Sequence, residues 1–453
     1  MPSSQKIEEI LTCIKDCSPG QDEFYQAAQE VLASLKPLLD SDKRYLEENI
    51  LERIIVPERT IIFRVNWVDD AGKIQTNLGY RVQFNSAIGP YKGGLRFHPT
   101  VTLGTMKFLA FEQIFKNSLT GLPIGGAKGG SNFNPKGKSD NEIMRFCQAL
   151  MSELYKHIGK HRDIPAGDIG VGAREIGYLF GQYKKLTGEF EGILTGKGLD
   201  WGGSKARKEA TGYGSVYFAE NFLNKYGKSL KGKKCAVSGS GNVAIYTIEK
   251  LYEMGAIPIS CSDSKGTIYQ EDGIDLKALK VIKEIHHESL EEYATVDCKC
   301  EYIPVGKYPE GGHAVWHIAC DVAFPSATQN ELTLVDAKKL KENGCILVNE
   351  GANMPTTPDA LEFIKENGIL FSPGKASNAG GVATSQLEMS QNASMAQWSF
   401  EEVDIKLRTI MQNIFKTAYD TSVEFDCEGD LVTGANIAGF RKVADSMIDQ
   451  GSV

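Results

Sequence analysis

Three lysines in one stretch of the sequence stand in unusual company. Between Gly89 and Gly130, Lys92 precedes Gly93-Gly94, and Lys128 lies between the glycine pairs 125–126 and 129–130. Lys116 falls in an apolar segment of helical period. Glycine lets a backbone approach a neighbour closely and take turns that other residues resist. Cations in such settings point to a pocket for a small anion. The plainer alternative is three solvated lysines beside ordinary turns, because lysine is mostly exposed. Farther on, Asp168 sits among glycines in DIPAGDIGVGAREIG, residues 163–177. A carboxylate in such a loop can do chemistry or can satisfy its own turn. Asp163, just ahead of Ile164-Pro165, fits the turn role better.

These residues need elements to hold them. Residues 5–55 read as helices, with Phe24, Ala28, Val31, Leu32, Leu35 and Leu38 on one buried face. From Thr60 the period changes. TIIFRVNW and LGYRVQF are rich in β-branched and aromatic residues and flank DDAGK, which predicts a hairpin. Val101 to Leu119 predicts a helix whose apolar face carries Leu103, Met106, Leu109, Ala110, Ile114 and Phe115. Gln113 and Lys116 are three apart, so they share a side of that helix and can converge on one ligand. A glycine loop with Lys128 follows. Ser139 with Glu142, and Ser399 with Glu402, match capping boxes that open helices. Residues 195–214, dense in glycine, mark a domain boundary or hinge. Beyond them strands and helices alternate, as in a parallel sheet covered on both faces.

A second constellation lies in that region. A short strand, Cys235 to Val237, runs into Gly239-Ser240-Gly241-Asn242-Val243-Ala244. A helix with Ile245, Ile248, Leu251 and Tyr252 on its apolar face ends at Gly255, and the strand IPISCSD closes on Asp263. This is G-x-G-x-x-A between strand and helix, the arrangement that binds dinucleotides. The first glycine makes the turn, the second admits a pyrophosphate, and Ala244 permits close helix packing. The pyrophosphate would rest on the helix N-terminus, whose free N–H groups and dipole favour anions.

Bulk composition narrows the class. With 453 residues the chain should form at least two domains. Its 42% apolar and 24% charged residues are those of a globular enzyme. A net charge of −8 argues against nucleic-acid or membrane partners, which need a basic face. The ten cysteines form no CxxC pair, and Cys298 with Cys300 lacks metal-ligand spacing. Free thiols in a reducing compartment and no metal site are expected. The first residues lack the features of a targeting segment, and no apolar run approaches the roughly 20 residues of a membrane span. A cytoplasmic protein is the expectation.

Taken together, the motifs GPYKGGLRFHP, FEQIFKNSLTGLPIGGAKGG, PAGDIGVGAREIG, EATGYG, GSGNVA, PSATQNE, EGANMPTT and KASNAGGVATSQLEMSQN resemble one family. They are similar to glutamate dehydrogenases of the small hexameric type, among the Glu/Leu/Phe/Val dehydrogenases, from about Pro57 onward. The resemblance implies an α/β fold. A substrate-binding and oligomerisation domain (1–202, joined by 426–453) would face a Rossmann-like, doubly wound dinucleotide domain (203–425) across a closing cleft. It implies reversible oxidative deamination of L-glutamate to 2-oxoglutarate and ammonium, toward ammonium assimilation, in a homohexamer.

The resemblance also assigns roles. Lys92 would hold the substrate side-chain carboxylate, and Lys116, with Gln113, the α-carboxylate. Lys128 and Asp168 would be the proton-transfer pair, with the Gly167 backbone and the Ser385 hydroxyl completing the pocket. Relatives acting on leucine or phenylalanine carry an apolar residue where Lys92 stands. Thr211 and Asn242 would touch the cofactor, with Gly239, Ser240, Gly241 and Val243 around its phosphates. Asp263 is placed to bind a ribose 2′-OH, which is the NAD arrangement. Ser264 and Lys265 in SDSKG instead match NADP-type members, where they would bind a 2′-phosphate. The resemblance favours NADP, with NAD as the alternative. Two departures stand out: Lys205 and Lys208 around Arg207, where a proline is usual in place of Lys208, and Asn349 in place of a small residue.

Overall fold

A computed structural model describes residues 2–296 and 299–452, so Cys298 lies outside the described residues. The chain forms two compact units. One comprises Met1–Lys205, Val382–Val403 and Thr433–Val453; the other comprises Ala206–Gly381 and Asp404–Val432.

The first unit is built on a five-stranded sheet: β1 Arg59–Val68, β2 Ile74–Asn85, β3 Tyr91–Phe97, β4 Gly126–Ser131 and β5 Asp163–Gly167. The order is β1-β2-β4-β3-β5. β1 and β2 form the expected antiparallel hairpin, with Val68 opposite Ile74. Its turn is fixed by Asp69, whose Oδ1 accepts the amides of Ala71 and Lys73 at 3.0 and 2.9 Å. β3 runs parallel to both β4 and β5. One core of this unit gathers Val65, Trp67, Leu95, Phe97, Phe133 and Phe146, the last two rings stacked 3.8 Å apart.

Lys92 and Lys128 lie within strands, not in the turns that their glycines suggested. Here glycine serves close packing. A Cβ on Gly93 would stand 1.6 Å from the Ala127 carbonyl oxygen, and one on Gly126 would stand 2.7 Å from the Ile114 side chain. The second clash shows how closely helix Leu103–Leu119 lies on β4. That helix is buried on more than the one apolar face expected: Phe108 and Phe111 are buried too, while Leu103 is only half-buried. Gln113 and Lys116 keep partial exposure on a shared side.

The N-terminal helices bury Phe24, Ala28, Val31, Leu32, Leu35 and Leu38 as expected. Both capping boxes form. Ser139 Oγ accepts the Glu142 amide and Glu142 returns a carboxylate to the Ser139 amide, each at 3.1 Å. Ser399 and Glu402 do the same at 3.1 and 2.7 Å.

The segment 382–403, expected in the dinucleotide domain, belongs to the first unit. Its helix, Gly380–Ser394, carries Glu388, which is buried against Lys197 at 2.7 Å. Gln391 bonds Ser204 at 2.8 Å and Asn392 bonds the Gly202 carbonyl at 2.7 Å. A buried ion pair separated from its partner would be costly, so this helix stays with residues 194–204.

The second unit holds five parallel strands, β6 Lys234–Val237, β7 Ile257–Pro258, β11 Val322–Phe324, β12 Leu347–Asn349 and β13 Leu370–Ser372. Their order is β13-β12-β11-β6-β7. The chain leaves β6 toward β7 and later returns on its other side to β11, so the order reverses at β6. Ligands of open α/β sheets bind outside the carboxyl ends of the strands at such a point. The stretch expected as one strand, IPISCSD, is split. Ser260–Ser262 (β8) leaves the parallel sheet to pair antiparallel with β9, Gly266–Tyr269, which also pairs with β10, Glu301–Pro304. Tyr252, expected on a buried face, is 36% exposed and donates its hydroxyl to the Ile274 carbonyl at 2.6 Å. Among the described residues no helix is long and apolar enough to cross a membrane.

Candidate active site

Strands β4, β3 and β5 lie side by side in the first unit and carry Lys128, Lys92 and Gly167, with Asp168 just past the end of β5. Lys128 Nζ stands 3.0 Å from Asp168 Oδ1, and Arg96 Nε donates to the other oxygen at 2.7 Å. Burial pushes the Lys128 amine below its ordinary pKa, and the Arg96 charge pushes the same way, against the pull of Asp168. For Asp168 burial acts upward, but Lys128 and Arg96 outweigh it and hold the carboxyl at about 2. The result is a carboxylate gripped by two cations, one of which sheds its proton more readily than an ordinary lysine. Gly94 makes room for this pair. A Cβ there would reach 2.9 Å from the Asp168 Cβ and 3.3 Å from Lys128 Nζ.

Lys92 is fully buried, and its amine donates to the Ile164 carbonyl at 3.0 Å and meets Thr195 Oγ1 at 2.7 Å. Thr195 is brought there by its own amide, which bonds the Pro165 carbonyl at 3.0 Å. The solvated-lysine alternative is therefore wrong for Lys92 and Lys128. Gln113 bonds Asn117 at 2.6 Å, and Asn117 donates to the Lys92 carbonyl at 3.1 Å, which ties the helix side of Gln113 and Lys116 to β3. Gly167 could not carry a side chain, since a Cβ would meet the Val171 carbonyl oxygen at 2.5 Å. Ser385 is buried on the helix Gly380–Ser394.

The expectation that Asp163 merely closes a turn is corrected. It is completely buried in a two-pronged pair with Arg81, whose Nε donates at 2.8 Å, and Gln83 adds a third bond at 2.9 Å. Arg81 also donates to the Gly93 carbonyl at 3.1 Å, so the pair braces the strand that carries Lys92. Sequence reasoning missed Arg81, Arg96 and Thr195. An arginine amid the apolar alternation of LGYRVQF was the one available signal.

In the second unit, Gly239 takes a left-handed φ of 83° and donates its amide to Ser262 Oγ at 2.9 Å. Gly241 opens helix Asn242–Glu253 with no side-chain cap, and a Cβ there would meet nothing within 4 Å. The exposed Gly241 and Asn242, and the half-buried Ser240 and Val243, thus surround open ground at a helix N-terminus. Ala244 is buried, as close packing requires. Thr211 is half-buried on helix Ala210–Lys225. That helix lies so near Asn242–Glu253 that a Cβ on Gly212 would be 2.5 Å from the Thr247 nitrogen.

Asp263 is engaged by its own surroundings. One carboxylate oxygen accepts the amides of Lys265 and Gly266 at 2.9 and 3.3 Å. The other accepts Leu290 N–H at 2.8 Å and faces Lys283 at 3.4 Å. Ser264 and Lys265 stand exposed on the turn that Asp263 shapes. The unusual Lys208 pairs with Glu284 at 2.7 Å, and Asn349 is buried with its amide on Ser215 Oγ at 2.8 Å. Nothing in the structure explains Lys205.

Comparison with known proteins agrees across nearly the whole chain. Residues 202–451 match the family model of Glutamate/Leucine/Phenylalanine/Valine dehydrogenase, and residues 57–185 match that of its dimerisation domain. The NADP-specific glutamate dehydrogenase of Helicobacter pylori is 62% identical over 445 residues, 98% of this chain and 99% of that one. The NAD(P)-specific glutamate dehydrogenase of Xylanibacter ruminicola is 55% identical over 449 residues, again 98% and 99%. The crystal structure of Plasmodium falciparum glutamate dehydrogenase superposes with a TM-score of 0.96 at 51% identity, covering 100% of this chain and 96% of that one. The chain belongs to the Glu/Leu/Phe/Val dehydrogenase family.

Proposed function

We propose that this chain is a glutamate dehydrogenase that prefers NADP(H). L-glutamate, water and the oxidised cofactor give 2-oxoglutarate, ammonium, a proton and the reduced cofactor, with net flow toward ammonium assimilation. The observation that carries the reading is the buried Lys128–Asp168 pair, held at 3.0 Å with Arg96 behind it. A lysine whose pKa is lowered by burial can take a proton from water adding to an iminium carbon and later return it. Asp168, a carboxylate at neutral pH, can pass protons to and from the amine nitrogen.

Lys92 would bind the side-chain carboxylate of glutamate. The support is the resemblance: relatives acting on leucine or phenylalanine carry an apolar residue at this position, whereas a lysine amine can donate hydrogen bonds to the second carboxylate that a dicarboxylic amino acid brings. Lys116 and Gln113 would hold the α-carboxylate, with the Gly167 backbone and Ser385 completing the pocket. On this reading the first unit binds substrate and the second binds the dinucleotide.

The second unit fits a nicotinamide dinucleotide. The left-handed Gly239 and the open ground at Gly241 suit a pyrophosphate on the helix N-terminus, near Asn242 and Thr211. Both Asp263 oxygens are already engaged, which weakens its case as a ribose 2′-OH ligand, while Ser264 and Lys265 offer exposed donors for a 2′-phosphate. When bound, the nicotinamide accepts or donates the hydride. A homohexamer in the cytoplasm belongs to the same reading.

The test is initial-rate oxidation of NADPH and NADH with 2-oxoglutarate and ammonium, with Lys128→Ala as control. The expected result is a higher kcat/KM for NADPH and loss of turnover in the variant. Equal or better use of NADH would overturn the cofactor preference. Turnover near wild type in Lys128→Ala would overturn the mechanism.

A further inference from the structure

Past the carboxyl end of β11 the chain runs Pro325-Ser326-Ala327-Thr328-Gln329-Asn330-Glu331. Residues 327–330 are exposed, whereas Glu331 is buried. β11 lies beside β6, where the strand order reverses, so this loop borders the ground that open α/β sheets use for ligands. A glutamate is almost never buried unless it is paired, and among the described residues no cation faces this one.

Its partners are backbone. Glu331 Oε1 accepts two successive amides, those of Ala327 at 3.0 Å and Thr328 at 3.3 Å. The other oxygen is buried and has no hydrogen-bond partner among the described residues. Burial pushes the carboxyl up to about 7 and Asp336 pushes the same way, against the two amides and the Ser238 hydroxyl. The group therefore serves through the acceptor it presents, and a neutral amide of the same shape can present one too.

The loop that these bonds tie down packs on the glycine turn. A Cβ on Gly239 would stand 3.0 Å from the Ser326 carbonyl oxygen and 3.2 Å from the Ala327 Cα. The Ser326 amide donates to Ser238 Oγ at 2.8 Å. A Cβ on Gly351 would meet both Ser326 Oγ, at 2.5 Å, and Val243 Cγ1, at 3.2 Å. Ser326 and Ala327 are thus wedged against residues 239–243, the turn suited to a pyrophosphate.

We propose that Glu331 is a positioning residue for the dinucleotide: by holding the Ala327 and Thr328 amides it fixes loop 326–330 as one wall of the cofactor site. The proposal rests on the dinucleotide reading of the second unit. Glu331 acts through the loop and not on the reacting atoms.

The test uses the full chain with Glu331→Ala and Glu331→Gln, each checked by circular dichroism. Losing the acceptor of two amides in Glu331→Ala should raise KM for NADPH about tenfold. The same factor should appear in NADPH binding read by its fluorescence, with kcat and KM for 2-oxoglutarate unmoved. Glu331→Gln keeps an oxygen on the two amides and should restore wild-type binding. A second measurement needs no variant: NADPH should slow deuterium exchange in wild-type peptides spanning 326–330, and it decides even if Glu331→Ala fails to fold. An unchanged KM for NADPH in Glu331→Ala, an equal loss in every kinetic constant, no recovery in Glu331→Gln, or NADPH binding without protection of 326–330 would overturn this proposal alone. A wild type that binds neither NADPH nor NADH would overturn the dinucleotide reading, and this proposal with it.

Discussion

Lys128 owes its usefulness to its burial, and Arg96 sets the terms on which that burial acts. The Arg96 charge lowers the pKa of both Lys128 and Asp168. Replacing it by a neutral residue should therefore raise both. If deamination needs the uncharged amine, the rising limb of the pH profile of kcat/KM must move to higher pH in Arg96→Gln, with activity near neutrality falling about tenfold or more. A uniform drop with an unmoved limb would mean that Arg96 only shapes the strand. The sequence announced Lys92, Lys128 and Asp168 through their glycine neighbours, and Lys116 through its place three residues from Gln113 on an apolar helix. For Arg81 it offered one sign, an arginine amid the apolar alternation of LGYRVQF, and for Arg96 none, because a cation in an alternating strand looks solvated until its partner from a distant segment is known. Asp163 shows the same limit. Its carboxylate is explained by Arg81, 82 residues away, and by nothing local.

The glycines around the lysines act at the scale of strands. Glycine permits both a turn and a close approach, and the structure uses the second: these glycines are spacers that bring β3, β4 and helix Leu103–Leu119 within backbone distance. Gly93→Ala tests that use. Its Cβ would fall 1.6 Å from the Ala127 carbonyl oxygen, so β3 and β4 must separate. Overpacking of this kind costs about 1–3 kcal/mol or more. Urea denaturation should show the loss, together with weakened substrate binding, since Lys92 sits on the displaced strand. A variant as stable as wild type would show that the strands tolerate the extra methyl.

Elements whose signals are local were readable in advance: the hairpin from its β-branched runs, both capping boxes from Ser and Glu three apart, and the G-x-G-x-x-A turn. The transfer of Ser260–Ser262 to a second sheet was not, because strand pairing with β9 leaves no mark on a four-residue window. Nor was the membership of segment 382–403, which depends on Glu388 meeting Lys197 across 191 residues.

At the scale of the whole molecule the open question is assembly, and β1 bears on it most directly. It is a ten-residue strand at the edge of its sheet, without proline. Long edges of this kind invite pairing unless they are covered. The outward face of the β1–β2 hairpin is apolar at Ile62, Val68, Ile74 and Leu78, with Ile74 76% exposed. Its inward face supplies Val65 and Trp67 to the core. Exposed apolar residues gathered on one face mark an interaction surface, here interleaved with Arg64 and Asn66, and these residues lie within the stretch that matches the dimerisation-domain model. The double variant Ile62→Lys, Ile74→Lys should therefore weaken assembly. Sedimentation velocity should show a shift to smaller species at the same protein concentration, with circular dichroism preserved because the core face is untouched. Each removed contact at a buried interface is worth a kilocalorie or so, so the effect should grow on dilution. An assembly that keeps its size at every concentration would place the interface on a different face and leave the hairpin's apolar side to some other partner.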